Sequence, residues 1–167
     1  MEIDTQTIRR LRDALIEGGL QPAAGNPAAS TPGRRGSLKR VAPFVETMFL
    51  MMEADGHHDA NEEAAIQGAM RTLTHGLLDD AELDSLLEAC AGRLAEQGVE
   101  ARLQAVGNRI CADRVDRETG FTLAAAIALA DREVAIEESA LLVSIADWYG
   151  ISSRRRLEIL GQFDHTS

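Results

Sequence analysis

A chain of 167 residues is long enough to bury a core without covalent staples, and 45% hydrophobic content excludes a disordered acidic polymer. The formal charge of −10 argues against general nucleic-acid binding, because an acidic surface repels phosphate backbones, and it favours cations or a basic protein partner. One compact domain plus a tail is the expectation at this length.

Residues 4–17 have a helical pattern with Ile8, Leu11 and Leu15 on one side. Residues 18–37, GGLQPAAGNPAASTPGRRGS, hold three prolines and five glycines among small polar residues, a composition suited to a flexible linker. The sequence thus divides into an N-terminal helix and linker (1–37), a helical domain (38–163) and a short tail (164–167). Residues 42–54 are almost wholly apolar and begin near Pro43, a residue tolerated in a first helical turn. A helix apolar all round must be central or covered by a partner.

Residues 60–74 place Ile66, Ala69, Met70 and Leu73 on one stripe, and residues 80–96 do the same with Leu83, Leu87, Cys90 and Leu94. A further amphipathic helix carries Val99, Leu103, Val106 and Ile110. Residues 119–130 are again apolar throughout. Leu141, Leu142, Ile145, Trp148 and Tyr149 line the next helix, and Leu157, Leu160 and Phe163 the last. No stretch alternates with period two for long, so the predicted class is all-α, a helical bundle. Cys90 and Cys111 have no neighbouring thiol and read as small buried hydrophobes of a reducing compartment. MEIDTQTIRR is too charged for a secretory signal, and the apolar run TGFTLAAAIALA is too short for a bilayer. A cytoplasmic protein is expected, with docking to a membrane-associated partner left open.

Both apolar helices stop in acidic turns. FVETMFLMM runs into EADGHHDANEE (53–63), and TLAAAIA runs into LADREVAIEES (129–139). Asp55 matches Asp131 at an offset of 76 positions, and the units continue as THGLLDDAEL and WYGISSRRRL. The spacing predicts two related helical hairpins.

Capping accounts for part of each turn. Asp59 with Glu62, and Asp79 with Glu82, have capping-box spacing, and Gly56 suits a left-handed residue at a helix end. Capping accounts less well for Asp55 and Asp131, because a helix C-terminus disfavours negative charge. Repeated carboxylates against local preference suggest a hard cation, Ca²⁺ or Mg²⁺. His57 and His58 beside Asp59 offer a lesser Zn²⁺ alternative, and with it the one form an enzyme could take, a metallohydrolase. No GxSxG, P-loop, HExxH or CxxC pattern is present, so a non-enzyme is expected. Arg154, Arg155 and Arg156 suggest either an anion site or a solvated face paired with acids.

An apolar helix, an acidic turn and an amphipathic helix, occurring twice, with a V-x-x-x-E step (Val134 to Glu138) and YGIS at 149–152 in the second unit, resemble the TerB-like (tellurite resistance protein B) family. The residues that carry the resemblance are EADGHHDANEE and LADREVAIEESALLVSIADWYGIS, within about residues 42–163. It implies a duplicated helical fold, a link to tellurite and other stress responses, and a cation site built from acidic residues. By that resemblance the candidate ligands are Asp55, Asp59, Glu62, Glu63, Asp131 and Glu138. Arg132 departs from the pattern where the first turn has Gly56, which favours the first turn over the second. A cation-responsive interaction domain is therefore expected, and the alternative is a purely structural interaction module whose acids cap helices.

Overall fold

The computed structural model describes residues 3–18, 31–54, 56, 60–130 and 136–163, with residues 31–35 described by their backbone alone. Among the described residues the protein is all helix, with no strand: α1 (Thr5–Glu17), α2 (Thr31–Met52), α3 (Ala60–Thr74), α4 (Asp80–Ile110), α5 (Arg114–Ala128), α6 (Ile136–Trp148) and α7 (Ser153–Leu160).

Starts are set by local chemistry. The side chains of Asp4, Asp113 and Ser152 accept backbone N–H groups in the first turns of α1, α5 and α7. The expected capping box at α4 is present: Asp79 accepts from the Glu82 N–H, and Glu82 accepts in return from the Asp79 N–H.

α2 and α5 pack against each other at the centre, and α4 lies along α2. The core continues from there into every other helix. α2 reaches further back than the sequence suggests, since it begins at Thr31 and places Pro43 in its interior. The linker therefore shortens from its C-terminal side, and the expected boundary at residue 38 falls inside a helix; residues 19–30 lie outside the described residues. An interior proline removes one helical hydrogen bond and orphans the carbonyl four residues earlier. Here that carbonyl, of Lys39, accepts from Arg109 Nη2 at 2.8 Å. α1 is part of the core too: it packs on α3 and buries Ile8 and Leu15.

The two helices expected over 80–96 and 99–110 are joined end to end as α4, with a break in helical geometry at Gly98 (φ 79°, ψ 167°). That backbone conformation suits glycine and strains any residue with a Cβ. Beyond the break, α4 meets α6 so closely that a Cβ on Gly107 would stand 2.5 Å from the Trp148 carbonyl oxygen. Tyr149 fills the space beside this contact, fully buried, with its hydroxyl hydrogen-bonded to that of Thr47 on α2. Burial pushes the Tyr149 hydroxyl above its ordinary pKa.

Several expected core positions are corrected. Trp148 is 36% exposed, and Tyr149 takes the interior place. Cys111 is exposed while Cys90 is buried. Leu157 and Val99 are exposed, and Ile159 is the buried residue of α7. At Trp148 and Tyr149 the stripe is real but its buried edge lies one position away, a rotation that periodicity alone does not fix.

The ends of the central helices keep the 76-residue offset of the sequence. α2 ends at Met52 and α5 at Ala128, and α3 begins at Ala60 and α6 at Ile136.

Candidate functional site

Each predicted acidic turn lies between two helices, and the structure describes only part of it. Asp55, His57, His58 and Asp59 of the first turn, and Asp131 of the second, lie outside the described residues. Gly56 has the left-handed φ expected of it, 66°. Glu62 and Glu63 occupy the first turn of α3, where the helix dipole favours their charge. Glu138 holds the equivalent place on α6 but is buried, at 9% exposure, and engaged in contacts there. Among the described residues no three of His, Cys, Asp or Glu gather into a set able to hold a metal ion, so Glu62, Glu63 and Glu138 do not converge by themselves. The donors of the first turn are hard oxygens, which fit Ca²⁺ or Mg²⁺ in kind.

Glu63 does open onto a feature that periodicity did not reveal. A groove of about 510 Å³ runs between the end of α2, the start of α3 and the first half of α4. α4 supplies Leu87, Ala91, Leu94 and Ala95, a stripe at helical spacing, and α2 supplies Phe49 and Met52. Three carboxylate residues line the same groove: Glu53 just past the end of α2, Glu63 from α3 and Glu88 from α4. Gln67 Nε2 donates to Glu63 Oε1 at 3.0 Å, a neutral contact that orients the carboxylate and leaves its charge in place. Two arginines of these helices are directed to other partners: Arg71 Nε is 3.6 Å from Asp80 Oδ1, and Arg93 Nη2 is 3.4 Å from Glu46 Oε2.

Glu46 is the polar residue that sequence reasoning missed. It lies two turns before Glu53 on α2 and is 1% exposed. Arg102 Nε donates to Glu46 Oε1 at 2.7 Å, and Arg102 Nη1 donates to Gln97 Oε1 at 2.9 Å. Arg93 Nη2 also contacts Cys90 Sγ at 3.2 Å. Burial first, and the nearby Glu46 charge second, push the Cys90 thiol up to about 11, so at neutral pH it is protonated and a poor nucleophile. A signal was available. Glu46 is the one charged residue between Val41 and Met52, and a carboxylate inside an apolar helix requires a cation from elsewhere in the chain.

Two residues of the arginine cluster, Arg154 and Arg155, are paired with acids. Arg154 Nε pairs with Glu158 at 3.0 Å, and Arg155 pairs with both Glu158 at 2.9 Å and Glu118 at 2.7 Å. The hydrogen bond from Arg155 holds Glu118 below the ordinary carboxylate range.

Comparison of the chain with protein-family models, with curated proteins and with solved structures finds no match.

Proposed function

We propose that this chain is a non-enzymatic interaction domain of the TerB-like kind, in which a divalent cation at the first acidic turn controls binding of a protein partner. The observation that carries the reading is the position of that turn. Glu53 opens it, Glu63 closes it, and both residues line one apolar groove. Asp55, Asp59, Glu62 and Glu63 are the proposed ligands, and Ca²⁺ or Mg²⁺ suits their oxygen chemistry better than Zn²⁺. A cation there would relieve the repulsion among these acids and draw the end of α2 towards the start of α3. Asp131 and Glu138 form the weaker candidate at the second turn, because Arg132 stands beside Asp131. The domain would act in the cytoplasm, in a stress or tellurite response.

Calorimetric titration of the EDTA-treated full chain with Ca²⁺, Mg²⁺ and Zn²⁺ tests the reading. We expect saturable binding of a hard cation that Asp55→Asn abolishes, together with a melting midpoint that rises with cation concentration. Heats at the level of dilution for every cation, with an unmoved midpoint, would leave capping as the sole role of these acids.

A further inference from the structure

We infer that the groove between α2, α3 and α4 is a docking site for one basic amphipathic helix of a partner protein. The inference rests on the interaction reading above but not on its cation.

Shape gives the first part of the argument. Leu87, Ala91, Leu94 and Ala95 stand at i, i+4, i+7 and i+8, so the wall they form follows the axis of α4 for about 12 Å, or two helical turns. Ala91 and Ala95 are exposed and small, which lets a second helix approach closely. Phe49 closes the floor, and Met52, half-buried, is an unbranched side chain that adapts to what it meets. A trough of this kind takes the apolar face of a helix, with anchors one and two turns apart.

Charge gives the second part and selects the occupant. Glu63 from α3 and Glu88 from α4 line one groove, while Arg71 and Arg93 are paired with Asp80 and Glu46. The chain as a whole carries −10. An acidic helix would meet like charge beside the apolar floor, and a neutral one would gain nothing from that charge. A helix with leucines at i, i+4 and i+7 flanked by lysine or arginine meets complementary charge, which raises its association rate and fixes its orientation.

The test uses the full chain and two designed peptides of about 18 residues, a leucine–lysine amphipathic helix and its leucine–glutamate counterpart. Binding is read by fluorescence anisotropy in EDTA. We expect saturable capture of the lysine peptide alone. Glu63→Lys with Glu88→Lys should weaken it about tenfold, as two removed and reversed edge charges do. Glu100→Lys with Asp147→Lys changes net charge equally at exposed sites outside the groove and should shift affinity less than about twofold. Ala91→Trp should block capture, with circular dichroism confirming the fold. If both charge-reversal pairs weaken binding alike, or if a folded Ala91→Trp binds as well as wild type, the groove is not the site and the inference is overturned. Capture in EDTA supports the groove whatever the metal titration gives. Failure of capture both in EDTA and in Mg²⁺ overturns the groove even where a cation binds.

Discussion

The two halves of α4 meet the same partner, α2, in different ways. After Gly98 the helix is locked: Arg102, Leu103, Val106, Gly107 and Ile110 are buried, and Arg102 closes over Glu46. Before Gly98 only Leu83 and Cys90 are buried, and Glu53, just past the end of α2, lines an open groove. Glu46 and Glu53 are seven residues apart, Glu46 within α2 and Glu53 just past its end. Glu46 is neutralised inside the protein, and Glu53 lines the groove. The difference teaches that the break at Gly98 separates a half that holds the fold from a half left available for recognition.

Arg102→Ala breaks this contrast most severely. It leaves the Glu46 carboxylate buried with only the longer Arg93 contact, and we expect a loss of roughly 3–5 kcal/mol in denaturant unfolding. Replacing Glu46 and Arg102 together by leucine should restore most of that loss. If the double variant is as unstable as the single one, the ion pair is not what locks this half. Gly107→Ala comes next. Its Cβ would press on the backbone of Trp148, and we expect about 1–3 kcal/mol of destabilisation. An unchanged unfolding curve would mean that α4 and α6 are not in close contact there.

The first half of α4 should respond more weakly. Asp79→Ala removes the capping box and should cost roughly 0.5–2 kcal/mol, measurable as a lower melting midpoint. Glu88→Lys lies on an exposed position and should stay within about 0.5 kcal/mol of wild type. A large loss at Glu88 would show that the groove wall is a structural element and would remove the contrast between the halves.

The helices were legible because their stripes recur with helical period, and the capping box at Asp79 because side-chain chemistry within four residues defines it. The start of α2 was not legible. Proline in a helix interior is disfavoured locally, and only the tertiary bond from Arg109 to the Lys39 carbonyl satisfies the group it orphans. Trp148 and Tyr149 are adjacent and both apolar enough for a core, so which of them faces inward depends on the close approach at Gly107, formed by residues distant in the chain. Of the candidate ligands, Glu62 and Glu63 stand where the sequence places them, in the first turn of α3. The groove beside them required the relative placement of three helices, which no single stripe encodes.

The most direct test of the division within α4 is native-state hydrogen exchange of the full chain, free and with the leucine–lysine peptide. In the free protein, amides of Leu103–Ile110 should exchange only through global unfolding, and those of Asp84–Gln97 through faster local opening. With peptide, added protection should be confined to Leu87–Ala95 and to the end of α2. Equal protection of both halves in the free protein, or peptide-induced protection spread evenly along α4, would contradict the division of this helix into a structural half and a recognition half.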